Sequence, residues 1–144
     1  MTEWIPRHLI LPTLLAVSLA ASLSAAQAFR AKNLLYVVPL SADTFEVIED
    51  HGAGAADIWC AAADYARAAG LDGARQRMYV LEPRGPAKTT ADRIGVVFTT
   101  NPDDKMRDTP SSYTVSVKRL GENLAVGHAY QFCLDAFEDR FDRF

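Results

Sequence analysis

The stretch from His51 to Gly70, HGAGAADIWCAAADYARAAG, constrains this chain most, because it is the one long helical signal and β-like runs bracket it. From Ala55 to Ala69 there is no proline or glycine, and Ile58, Ala62, Tyr65, Ala66 and Ala69 draw one stripe at the helical period. Gly52 and Gly54 loosen the entry, and Gly70 supplies a left-handed stop. A stripe made mostly of alanine lets a helix lie close on a sheet, with Ile58, Trp59 and Tyr65 providing bulk. That sets an architecture and names no reaction.

The flanking segments read as strands. Leu34 to Val38 is β-rich and ends at Pro39, Ser41-Ala42-Asp43 is a turn, and Phe45 to Ile48 is a short alternating run. After the helix, Gln76 to Leu81 and Ile94 to Thr100 are expected strands. Glu82-Pro83-Arg84-Gly85-Pro86 between them is expected to be irregular, since two prolines flank a glycine. Asn101 to Ser112 reads as an exposed loop. Tyr113 to Leu120 has the cleanest alternation and is predicted to be a strand with one dry face, closed by a turn at Gly121-Glu122-Asn123. Leu124 to Leu134 fits either a strand or the first half of a helix. Phe137, Phe141 and Phe144 then recur at helical spacing, so a short C-terminal helix covering a sheet edge is preferred over a phenylalanine stripe for a partner. The expected class is α+β, with one main helix on a mainly antiparallel sheet of about four to six strands.

The first residues read differently. MTEWIPRH is short and polar with Arg7 in it, Leu9 to Leu23 is apolar and uncharged, and Ser24-Ala25-Ala26-Gln27-Ala28 ends in an Ala-x-Ala pattern. Those are the three parts of a secretory signal peptide cleaved after Ala28, which divides the chain into a leader, 1–28, and one domain, 29–144. Glu3 and Pro12 depart from the ideal pattern. The alternative is an uncleaved anchor, since Leu9 to Ala28 is about 20 residues and can just span a bilayer. The cluster of small residues at the end of the run favours cleavage. Either reading puts the domain in the periplasm or outside the cell, with a membrane as partner only if the anchor is kept.

Export changes how Cys60 and Cys133 read, for they are the only two cysteines and disulfides persist outside the cytoplasm. A redox pair would be spaced C-x-x-C, and a zinc site would need more close-set ligands. A structural disulfide is expected, with two buried free thiols as the alternative.

For function the sequence is mostly a set of exclusions. A net charge of −3 over 144 residues offers no basic face for nucleic acid. Gly52-Ala53-Gly54-Ala55-Ala56-Asp57 has aspartate where a dinucleotide fingerprint needs its third glycine, and Gly85-Pro86-Ala87-Lys88-Thr89-Thr90 lacks two glycines of a phosphate loop. Asp103, Asp104 and Asp108 lack the glycine and closing glutamate of a calcium loop. No cofactor or metal is therefore expected. No Gly-x-Ser-x-Gly or His-Glu-x-x-His occurs. His51 and His128, with Asp57 and the loop around Arg84, are the candidate residues for a small hydrolase or ligand site.

The run Phe45-Glu46-Val47-Ile48-Glu49 resembles a group of small exported bacterial proteins without an assigned role. So do Gly52-Ala53-Gly54 with Ile58-Trp59-Cys60-Ala61-Ala62, Asp64-Tyr65-Ala66, and Arg84-Gly85-Pro86. The resemblance implies a secreted one-domain protein with a paired cysteine, and it supplies no catalytic residues. The leading expectation is a non-catalytic module that binds a protein or envelope component, through a sheet face or the loops Glu82–Thr90 and Asn101–Ser112. The hydrolase or ligand-binding reading is the alternative.

The leader reading makes a direct prediction. Protein recovered from the periplasm or medium should have an intact mass that begins at Phe29. A membrane-bound species retaining Met1 to Ala28 would show an anchor instead.

Overall fold

A computed structural model describes residues 27–111 and 114–141. Six strands form one sheet: β1 (Phe29–Arg30), β2 (Tyr36–Pro39), β3 (Thr44–Ile48), β4 (Arg77–Pro86), β5 (Ile94–Thr99) and β6 (Asn123–Ala125). Three helices accompany them: α1 (Ala55–Ala68), the single turn α2 (Asp104–Arg107), and α3 (Val126–Phe141). The strand order is β1-β2-β3-β5-β4-β6 and every pairing is antiparallel. β3 and β4 therefore run parallel to each other with β5 between them. The chain crosses from one to the other through α1.

Alternation along the strands sorts side chains onto two faces. Val37, Phe45, Val47, Met78, Val80, Val96 and Phe98 share the inner face and are all buried against the helices. Aromatic rings run through this interface from one side to the other. Phe29 meets Tyr65 edge-on at 5.6 Å, Tyr65 meets Phe45 at 4.6 Å, Phe45 stacks on Phe98 at 6.0 Å, and Trp59 meets Phe98 edge-on at 4.8 Å. Each such pair adds about 0.5–1.5 kcal/mol beyond its buried area. The Trp59 indole N–H, which burial would otherwise leave unpaired, donates to the carbonyl of Val115 at 3.0 Å.

α1 ends as the sequence predicts, with Gly70 at φ 73° just past its last turn. Its burial goes further than one stripe. Cys60, Ala61, Ala63 and Asp64 are buried along with Ile58, Trp59, Ala62 and Ala66, while Ala69 is exposed. Two other segments account for this. α3 packs on α1 and is joined to it by the Cys60–Cys133 disulfide, with the two Cα atoms 4.9 Å apart. The β1–β2 connection lies over α1 too: the Lys32 amide donates to Asp64 Oδ2 at 2.8 Å and Asn33 Nδ2 to the Asp57 carbonyl at 2.7 Å. Tyr130 of α3 closes that corner, its ring 3.9 Å from the Arg67 guanidinium and its hydroxyl 2.5 Å from Lys32 Nζ. That hydrogen bond, helped by the charge of Asp64, holds the Lys32 ammonium above its ordinary pKa.

Three expectations are corrected. Glu82 to Pro86 is not an irregular loop but the second half of β4. Register shifts occur between Val80 and Glu82 and between Glu82 and Gly85; Pro83 falls inside the second, where a missing N–H costs no ladder bond, and Pro86 is the last residue of the strand, opposite Ile94. Residues 114–120 of the expected strand Tyr113–Leu120 form no strand, and 113 lies outside the described residues. The segment meets β4 where the Arg84 amide donates to the Val117 carbonyl at 2.8 Å, beside the bulges that interrupt that strand's edge. Its alternation still marks burial, since Val117 is buried and Val115 packs on the core. The loop after Thr100 is not wholly irregular either, for Asp103 caps α2 by accepting from the Met106 amide at 2.7 Å.

The ambiguous segment from Leu124 is both things in turn: β6 through Ala125, then α3, the expected C-terminal helix, from Val126. The side chains of Phe137 and Phe141, and all of Phe144, lie outside the described residues, as do residues 1–26 of the leader. No described helix is long and apolar enough to cross a membrane.

The disulfide closes a loop between positions 73 apart, which corresponds to about 4 kcal/mol in the chain-entropy account. The paired variant C60A/C133A should therefore melt lower by roughly 10 °C or more. Titration of denatured, unreduced wild-type protein should find no free thiol, and two free thiols would refute the bond.

Candidate functional site

The residues singled out by sequence do not share contacts. Asp57 sits in the first turn of α1, where Oδ2 accepts from the Gly54 amide at 2.9 Å and so closes the helix entry. His51 and Gly52 form a left-handed pair, at φ 55° and 70°, that aims the chain into α1. The His51 ring is exposed, with Nε2 3.4 Å from Asp50 Oδ2. Arg84 projects from the bulged half of β4 and pairs with Glu49 Oε1. His128 is exposed in the first turn of α3, its ring 6.0 Å from that of Phe132. Among the described residues no hydrogen bond or ion pair joins any two of these four. Nor do three or more His, Cys, Asp or Glu side chains gather where they would hold a metal ion.

Around Arg84 and His51 the end of β3 carries a ridge of ion pairs. Arg93 donates to the Glu49 carbonyl at 2.9 Å and lies 3.2 Å from Asp50 Oδ2. The Asp50 carboxyl is held below its usual pKa of 3.8, first by the His51 amide that donates to it and then by Arg93. Such a depressed carboxylate contributes stability above its unfolded pKa and loses it as pH falls through the folded one.

Beside this ridge, the outer face of the sheet buries a charge that the sequence does not announce. Glu46 is 1% exposed. Its Oε1 accepts from the Lys88 amide at 2.7 Å, and its Oε2 from the Thr89 amide at 2.9 Å and the Thr89 hydroxyl at 2.6 Å. The amides that resemble part of a phosphate loop are thus already occupied by a carboxylate of the chain's own. Glu46 reaches them by lying across Gly95, where an added Cβ would stand 2.7 Å from Oε1. This clamp folds the β4–β5 hairpin tip back over the sheet.

The described surface is recessed elsewhere, along the segment from Thr100 to Pro110 and the turn at Leu120. One cavity of about 180 Å³ is lined by Arg75, Gln76, Arg77, Thr100, Asn101 and Arg107, among others. A second, of about 380 Å³, lies between α2 residues Lys105 and Met106 and the turn residues Leu120 and Gly121. A third, of about 300 Å³, continues past Thr109 and Leu120 to Arg119. The recess is firmly built. Gln76 Nε2 donates to the Thr100 carbonyl at 2.8 Å, and Asn123 Nδ2 to the Gly121 carbonyl at 2.9 Å. Gly121, at φ 84°, passes so close to Thr109 that a Cβ would meet its hydroxyl at 2.8 Å. Leu120 beside it is 62% exposed, more than any other large apolar residue among those described.

These features define a disulfide-tied α+β domain in which α1 packs on an antiparallel sheet and on α3, with a polar recess beside it. No family model, curated protein or solved structure matches the chain.

Sequence reasoning flagged the loop at Asn101 but missed Arg75, Arg77 and Arg107, because nothing in the sequence links the Arg75–Arg77 pair to Arg107, 30 residues on. It missed Glu46 because a lone glutamate in a strand looks solvated.

The clamp makes its own prediction. E46A strands two amides and should lower stability by about 2–3 kcal/mol in urea unfolding, with E46Q between it and wild type. G95A should destabilise wild type but cost clearly less in the E46A background, because the colliding carboxylate is gone. Additive losses would refute the clamp.

Proposed function

We propose that this chain is an exported, non-catalytic binding module that recognises a protein or envelope component with the recessed surface around α2. The observation that carries the reading is the contrast between two parts of the surface. The candidate groups named from sequence, His51, His128, Asp57 and Arg84, each contact other residues, and among the described residues no hydrogen bond or ion pair joins any two of them. The three cavities, by contrast, follow one another along a single stretch of chain. They offer arginines at one end and an exposed leucine at the other, the pairing of polar anchor and apolar contact that interfaces use.

Export is supported by the leader pattern and fits the disulfide, since an oxidising compartment is where such a bond persists. The recess also adjoins one of the two loops nominated from sequence. The other, Glu82–Thr90, is drawn into β4 and the Glu46 clamp, so its backbone is largely committed.

A photoreactive side chain at position 120, compared with one at position 51, tests the assignment in cells. Position 120 should give a discrete cross-linked species that M106D abolishes, and position 51 should not. Equal cross-linking at both positions would refute the placement. Turnover of any substrate that is lost on H51A or H128A would refute the binding reading itself.

A further inference from the structure

Resting on that reading, we infer that the cavity at Arg75, Arg77 and Arg107 is a binding site for a phosphate group carried by the ligand. The chain as a whole is acidic, with 18 acidic against 15 basic side chains, yet three arginines line this one cavity and no acidic residue does. The fold brings Arg107 of α2 to Arg75 and Arg77, which lie two residues apart at the start of β4.

Each arginine is held differently, in a way that suits a site made before the ligand arrives. Arg77 is half-buried and fixed, with Nε donating to Asn123 Oδ1 at 2.8 Å and Nη2 to the Asn123 carbonyl at 3.2 Å. Its other donors stay available, since a guanidinium carries five. Arg107 is tethered through Nη2 to the Pro102 carbonyl at 3.0 Å and through Nη1 to Asp104 Oδ1 at 3.2 Å. Arg75 is exposed and makes no hydrogen bond or ion pair among the described residues. Two guanidinium groups are thus tethered, and the third, Arg75, is free to close on a bound group.

Charge and size select the ligand class. Three arginines bring three positive charges, and the Asp104 carboxylate paired with Arg107 offsets one of them. That pair is a weak competitor, because the Asp104 side chain is 97% exposed. About two charges remain, which matches a phosphate monoester at about −1.5 to −2 better than a single carboxylate. Guanidinium forks bind the oxygens of such a group in pairs. At about 180 Å³ the cavity is smaller than the roughly 300–1,000 Å³ of sites that enclose whole ligands, so it takes the phosphate and leaves the remainder of the molecule outside. The neighbouring Met106–Leu120 groove is where that remainder would lie.

Amide chemical-shift titration of the isotope-labelled, disulfide-intact protein at low ionic strength tests this, with inorganic phosphate as the probe and acetate and chloride at matched ionic strength beside it. Phosphate should produce saturable shifts confined to residues 75–79 and 100–107, with acetate weaker and chloride flat. R75A should weaken binding about tenfold or more while leaving the remaining spectrum unchanged, because Arg75 holds no other contact; R107A should weaken it similarly. R107K, which keeps the charge but loses the fork, should fall between wild type and R107A. Shifts as large with chloride, or phosphate affinity unaffected by R75A, would overturn the site. Vesicles with and without phosphatidic acid separate the two sources of the group. Sedimentation only with the acidic lipid identifies a headgroup, and phosphate binding without sedimentation identifies a soluble phosphate ester. Absent phosphate shifts with retained cross-linking from position 120 would remove the phosphate assignment and leave the binding module standing. Loss of both would remove the two together.

Discussion

Everything in this fold depends on how closely α1 can approach its neighbours. Along its length alanines at 61, 62, 63 and 66 are fully buried, and they let the helix serve as the middle layer between the sheet and α3. A helix of larger side chains would hold its neighbours farther off. The bulk that fills this interface comes instead from Trp59, Tyr65 and the strand residues Phe45 and Phe98, whose rings touch in a continuous series. The disulfide then secures the one contact that alanines alone would hold weakly, the meeting of α1 with α3. Small side chains bury little area, and burial is worth about 25 cal/mol per Å².

The opposite face of the sheet is closed by different means. Here Val97, Thr99 and Tyr79 are buried, and polar clasps bring loops over to cover the surface. The Glu46 carboxylate draws in the β4–β5 hairpin, and the Asn123 side chain links Arg77 to the turn at Gly121. A buried charge is tolerable only when its lone pairs are met, and Glu46 meets two amides and a hydroxyl. Such clasps fix loops in place as rigidly as core packing fixes strands. That is why a recess can exist on a surface made largely of connections, and why Arg77 and Arg107 stand in set positions.

The arrangement also explains why the ionisable groups fall into two populations. Around the end of β3, carboxylates and arginines pair and cancel, leaving the ridge from Glu49 to Arg93 nearly self-neutralised. Around Arg75 the positive charge is only partly offset. Net charge therefore says little about what one face of this domain attracts, since the field at a pocket is set by the few groups that line it.

Local order was written plainly into the chain. The period of α1, its stop at Gly70, the β-branched runs of β2, β3 and β5, and an even pair of cysteines each follow from residues near one another or from a simple count. The α+β class with an antiparallel sheet follows from their order. What the tertiary structure alone decided depends on register and on partners far apart in sequence. The bulge that carries β4 past Pro83 comes from pairing with β5. The failure of residues 114–120 to form a strand, despite their alternation, falls beside the edge that the bulges of β4 interrupt. The pairing of Glu46 with amides 42 and 43 positions away, and the meeting of Arg107 with Arg75 and Arg77, leave no trace in spacing. Periodicity reports which side of an element faces the core, because that depends on the element's own geometry. Which distant side chains meet across the surface depends on how elements are laid against one another, and no short window of sequence contains that information.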